Sequence, residues 1–102
     1  MSQNESSRLR FHPGQIVATR GALEALRTSG QSPYAFLGRH LRGDWGNVCD
    51  DDRRLNDLAV EDGSRLLSAY ETSKGDKLWI ITEGVNDDGR RASTCILLPQ
   101  EY

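Results

Sequence analysis

Apolar and polar residues follow two different rhythms along this chain, and the change falls near Gly63. Before it, apolar positions recur at three- and four-residue spacing; after it, they tend to alternate. Between Arg20 and Ser29, Ala22, Leu23, Ala25 and Leu26 make a helical stripe. Thr19 stands at its N-cap position and Gly30 where it should stop. Ser32-Pro33 repeats the start signal, a capping hydroxyl and then proline at the first helical position. A second helix is therefore predicted to about Arg42, stopped by Gly43, with Tyr34, Leu37 and Leu41 on one face and Phe36 and His40 on an adjacent stripe. A third is predicted from a cap at Asp50 to about Asp62, with Leu55, Leu58 and Ala59 as a narrow buried face and Gly63 as the stop.

Beyond Gly63, the segments Arg65–Glu71, Lys77–Glu83 and Arg91–Leu98 are rich in Leu, Ile, Trp, Tyr and Thr. Gly75-Asp76 and Asp88-Gly89 separate them as turns, and Pro99 ends the last. Leu66, Ser68 and Tyr70 share one face of the first strand, and Leu67 and Ala69 the other. Leu78, Ile80 and Thr82 oppose Trp79 and Ile81 in the second, so this strand is apolar on both faces and should be central. Upstream, His12-Pro13-Gly14 is a turn, and the run from Gln15 to Thr19 is a short strand or extended segment. The predicted class is α+β, in the order β-α-α-α-β-β-β, ending in a three-stranded antiparallel meander. Residues 1–10 read as a disordered leader and 11–102 as a single domain, large enough to bury a core without disulfides or metal.

Charge narrows the choice of partner. The net charge is −2 and the isoelectric point about 5.6, which argues against direct nucleic-acid binding. Residues 1–42 carry six arginines against Glu5 and Glu24, a net +4, whereas residues 50–62 carry six acids against Arg53 and Arg54, a net −4. A dipolar surface of this kind steers association and does not set the fold. No apolar run approaches the ~20 residues of a membrane span. The polar N-terminus lacks a secretory pattern, and Cys49 and Cys95 show no paired spacing, so a cytoplasmic protein with free thiols is expected.

Candidate chemistry is sparse. His12, His40, Cys49 and Cys95 lack ligand spacing, and no metal or cofactor is expected. Asn86-Asp87-Asp88-Gly89 resembles part of a calcium loop, but Gly84 stands where the first carboxylate belongs and no closing glutamate follows. Consecutive aspartates on a helix diverge, so Asp50, Asp51 and Asp52 read as cap and acidic surface. Nucleophile and phosphate-loop motifs are missing, and no catalytic residue is assigned. One RNA-directed alternative uses the element order, which resembles that of RelE/ParE-type toxins, some of which cut ribosome-bound RNA. Arg39, His40, Arg42, Arg90 and Arg91 would then form a basic cleft.

Protein binding accounts for more of the pattern. Trp45 lies in the glycine-flanked bend Gly43-Asp44-Trp45-Gly46, close to the triple aspartate. If exposed, with Asp44, Asp50, Asp51 and Asp52 around it, it would anchor a basic protein partner; if buried, it is core. Trp79, in the most apolar strand, is expected in the core.

Several blocks stand in a distinctive order. They are Gly14-Gln15-Ile16-Val17-Ala18-Thr19, Gly21-Ala22-Leu23, Gly30-Gln31-Ser32-Pro33, Gly43-Asp44-Trp45-Gly46, Leu66-Leu67-Ser68-Ala69-Tyr70, Trp79-Ile80-Ile81-Thr82-Glu83, Ile96-Leu97-Leu98-Pro99 and the terminal Glu101-Tyr102. Together they resemble a family of small bacterial proteins carried on plasmids and integrated mobile elements, over about residues 11–102. The resemblance implies a cytoplasmic accessory protein and brings no catalytic residues. Relatives often have proline in place of Arg20 and a shorter link between the last two strands, so the loop from Gly84 to Arg91 looks extended here. Mobile elements carry small acidic proteins that block host defence, anti-restriction and anti-CRISPR proteins among them. Many act by placing carboxylates on a nucleic-acid-binding surface. The expected function is a non-enzymatic, protein-binding accessory protein of that kind. The alternatives are a RelE-like ribonuclease or its degenerate relative, and a structural subunit or homodimer formed through an exposed sheet face.

Overall fold

The capping residues of the first two helices act as their chemistry dictates. In the computed structural model, which describes residues 9–102, α1 spans Arg20–Ser29 and the Thr19 hydroxyl accepts the Ala22 N–H at 3.1 Å. α2 spans Pro33–Leu41, with the Ser32 hydroxyl accepting the Tyr34 N–H at 3.1 Å. α3, Asp50–Asp62, begins differently. Cys49 occupies its N-cap position and no side chain caps it, so Asp50 is the first helical residue rather than the cap. Asp50, Asp51 and Asp52 all fall in the first turn, where the positive end of the helix dipole favours carboxylates. Gly30 and Gly63 close α1 and α3 in the left-handed conformation, at φ 72° and 87°.

The meander forms as expected from β2 (Leu66–Glu71), β3 (Lys77–Thr82) and β4 (Ser93–Leu97). The sheet nevertheless has four strands. β1, Gln15–Ala18, lies parallel to β4 with Gln15 opposite Ser93, and the order is β1-β4-β3-β2. Gly14 permits this pairing, because a Cβ there would strike the backbone of Arg91 and Ala92. The three helices form the long connection that takes the chain from β1 to the far edge at β2.

One face of the sheet is packed by helices. Ala22, Leu26 and Phe36 close over Tyr70, Leu78, Ile80 and Ile96. A second cluster joins Trp45, Ala59 and Leu66 to Phe11, Val48 and Val60. The apolar stripes of two helices differ from expectation. Tyr34 is 75% exposed, and α2 buries Phe36, Leu37, His40 and Leu41. In α3, Leu55 and Leu58 are each 61% exposed, and the buried residues are Asn56 and Ala59. The cause lies in the edge of the sheet that α3 meets. The Asn56 amide donates to the Leu67 carbonyl at 2.8 Å and accepts the Leu67 N–H at 3.2 Å. Farther along β2, Ala69 N–H bonds the Trp45 carbonyl at 3.1 Å and Asn47 N–H bonds the Ala69 carbonyl at 2.7 Å. A side-chain amide and a bend thus stand in for a fifth strand and close the edge. Satisfying that edge turns the Asn56 side of α3 inward and leaves its leucines in solvent.

On the other face, alternation places Leu67, Ala69, Trp79, Ile81, Cys95 and Leu97. Trp79 is half-buried there rather than interior, in edge-to-face contact with Tyr102 at 5.6 Å between ring centroids. At the N-terminus, Arg10 donates its backbone N–H to the Leu41 carbonyl at 2.8 Å and pairs with Asp57. Arg10 is thus tied to the fold, and residues 1–8 of the expected leader lie outside the described residues.

Candidate functional site

The Gly43–Gly46 bend is built to bury its tryptophan. Trp45 is 1% exposed. Its indole N–H donates to Asp57 Oδ1 at 3.0 Å, and its ring stacks with Phe11 and meets His40 edge-on. The Asp44 carboxylate accepts from Arg39 Nε at 2.7 Å and from the Gly46 N–H at 3.2 Å, and Arg39 above all holds its pKa below the ordinary value. The Tyr70 hydroxyl donates to the Asp44 carbonyl. A Cβ on Gly46 would meet the Ala69 carbonyl and the Tyr70 ring. Trp45 is thus a core residue and not an exposed anchor. Asp50, Asp51 and Asp52 are exposed, with Asp51 paired to Arg54. They form a surface separate from the tryptophan.

His40 is fully buried, in contrast to its proposed place in an RNA-contacting cleft. Its Nδ1 lies 2.6 Å from the Ser68 hydroxyl and its Nε2 2.8 Å from that of Thr82. Thr82 is 2.7 Å from the Thr94 hydroxyl, which donates to the Pro13 carbonyl at 2.8 Å. That terminal carbonyl sets the direction of the chain. Thr94 spends its proton on Pro13 and accepts from Thr82; Thr82 accepts from His40 Nε2–H; Nδ1 is left to accept from Ser68. Burial, aided by the charge of Arg91, lowers the ring's pKa to about 3, so the ring is neutral. A hydroxyl, an imidazole and an orienting group would suit nucleophilic catalysis, but Ser68, His40 and Thr82 all have 0% exposure and no substrate can reach them. The network holds α2 to the sheet and reaches the N-terminal turn.

Arg91 is also interior, at 8% exposure. Its Nη1 donates to the carbonyls of Ser64 at 2.7 Å and Glu83 at 3.0 Å, and its Nη2 to Ala59 at 2.9 Å. It ties the C-terminal end of α3 to the loops that flank the sheet, in the position where the helix dipole favours a cation. Its guanidinium carbon lies 5.6 Å from the Phe11 ring centroid. Of the other arginines proposed for the cleft, Arg39 is engaged by Asp44, whereas Arg42 and Arg90 are exposed. The five residues thus divide between interior and surface. Both cysteines are free, and burial foremost pushes the Cys95 thiol pKa up. Among the described residues, no group of three or more His, Cys, Asp or Glu is placed to hold a metal ion.

No family model, curated protein or solved structure matches this chain. The site must be read from its own geometry. On that basis the surface feature of the triple-aspartate region is the outer side of α3, where Leu55 and Leu58 stand exposed one turn apart beside Asp51, Asp52, Glu61 and Asp62. The leucines were legible as apolar helix positions and were assigned to the wrong side. The hydroxyl network had a weaker signal: Ser68 and Thr82 occupy inward alternating positions among apolar residues, which calls for a buried polar partner.

Proposed function

We propose that this protein is a non-enzymatic binding module whose α3 docks onto a basic protein surface. In this reading the partner surface is one that a host defence complex uses for nucleic acid. The supporting observation is the exposed Leu55–Leu58 pair within a helix of net charge −4. Carboxylates would steer the encounter with cationic side chains, and the leucines would supply the apolar contact that holds it. Arg53 is turned away from such a partner, its Nη2 donating to the Gly46 and Val48 carbonyls at 3.2 and 3.3 Å. That leaves Arg54, paired with Asp51, as the cation on the outer side. The bend and the Asn56 clamp give α3 a fixed mount, which limits the ordering cost of binding. The resemblance to mobile-element proteins supplies the biological setting.

The test uses a nucleic-acid-binding protein that co-purifies with the wild type from the native host. The reconstituted complex should be stoichiometric, weaken as salt rises, and exclude the partner's nucleic acid. Leu55→Ser with Leu58→Ser, and separately Asp51→Asn with Asp52→Asn, should each weaken it at least tenfold while leaving circular dichroism unchanged. Undiminished binding by both double variants would rule out α3 as the docking surface.

A further inference from the structure

We propose a second site, a cleft for a small phosphate monoester, between the His12-Pro13-Gly14 turn and the loop at residues 85–91. It does not depend on the docking role of α3. The cleft has a volume of about 540 Å³ and is lined by His12, Gly14, Val85, Gly89, Arg90 and Arg91. That is within the range of sites for small organic ligands. Among the described residues, its lining includes two arginines and an imidazole, and no carboxylate.

The charge of Arg91 is what calls for an anion. Arg91 is buried, at 8% exposure, and three carbonyls accept from its guanidinium; among the described residues, no acid forms an ion pair with it. Asp62 acts on it through space, but that carboxylate accepts the Ser64 N–H at 2.8 Å. Carbonyl dipoles offset part of the cost of burying a cation, and a counter-anion in the adjoining cleft would offset more. Arg90 adds a second cation on a structured loop. The Asn86 side chain accepts the N–H groups of Asp88 and Arg90, and the Asn86 N–H bonds the Arg90 carbonyl at 2.8 Å. His12 Nδ1 accepts the Gly14 N–H at 3.2 Å, which leaves Nε2 as the ring nitrogen available to donate. The Arg90 guanidinium and the His12 imidazole, with the buried charge of Arg91 behind them, match a phosphate dianion better than a single carboxylate. Val85, 45% exposed, offers the ester's organic group an apolar wall. A polyanion is disfavoured, because Arg10, Arg27, Arg39 and Arg54 are paired with acids and the chain is net negative.

The full chain should be titrated with inorganic phosphate and with phenyl phosphate, the ionic strength held constant with sodium chloride, while backbone amide shifts are followed. Saturable shifts at Gly14, Val85, Gly89 and Arg90 are expected, with phenyl phosphate binding more tightly than inorganic phosphate. Arg91→Gln removes an interior clamp and risks unfolding, so the exposed positions carry the test. Arg90→Gln should weaken phenyl phosphate about tenfold and His12→Gln about threefold, whereas Leu58→Ser should bind as wild type. Shifts no larger than those from sodium chloride would overturn the proposal. So would unchanged affinity in Arg90→Gln, or binding of a single-stranded oligonucleotide without terminal phosphate where phenyl phosphate fails to bind.

Discussion

His40 shows how one buried side chain ties stability to pH. An exposed imidazole titrates near 6.5, and burial lowers this one to about 3. Between those values the unfolded chain binds a proton that the native state refuses. Stability should therefore fall as pH drops from about 6.5 towards 3, at up to about 1.4 kcal/mol per unit. Urea denaturation at stepped pH measures the slope, and His40→Asn should flatten it above pH 5, where Asp44 does not yet contribute. His40→Ala leaves a cavity beside Trp45 and strands the Ser68 and Thr82 hydroxyls. A loss of about 3 kcal/mol or more is expected in the same assay at pH 7.5. Identity alone marked His40 as polar on an apolar stripe. It could not reveal the partners, because Ser68, Thr82 and Thr94 lie 28 to 54 residues away in sequence.

At the scale of the element, α3 separates local helix-forming chemistry from tertiary placement. Its extent was readable from the acidic first turn and Gly63, but its inward side was not. Periodicity names a stripe by hydrophobicity, whereas here an amide supplies the bonds that an edge strand lacks. Two substitutions test this. Asn56→Leu adds apolar surface but leaves the Leu67 N–H and carbonyl without their partner, and should cost about 2 kcal/mol in chemical denaturation. Leu58→Ser removes a large apolar group from a position 61% exposed and should change stability by no more than about 0.5 kcal/mol. The reverse order of effects would mean that α3 packs through its leucines. The same separation governs the bend at Trp45: its glycines and tryptophan were conspicuous in sequence, and only the packing of Phe11, His40 and Asp57 around the indole decides that it faces inward.

For the whole molecule, the helices lie against one side of the sheet, and Trp79 lies on the other with Tyr102 against it. Removing the Tyr102 ring should therefore expose Trp79 without disturbing the core. In a Trp45→Phe background, where Trp79 is the sole tryptophan, Tyr102→Ala should shift tryptophan fluorescence to longer wavelength and leave helical circular dichroism intact. An unchanged spectrum would show that the C-terminal ring does not cover that face.

The sequence by itself determined the elements: capping hydroxyls, helix-ending glycines, strand alternation and turn residues act over a few positions, and their chemistry is complete within those positions. It also determined the charge separation. Tertiary structure decided what each element faces. β1 became the fourth strand because Gly14 lets the chain approach β4, and β2 was closed by Asn56 and the bend instead of another strand. His40 and Arg91 were drawn inside because hydroxyls and carbonyls from distant segments meet them there. Burial is a property of contacts between remote parts of the chain, and composition and periodicity record only near neighbours.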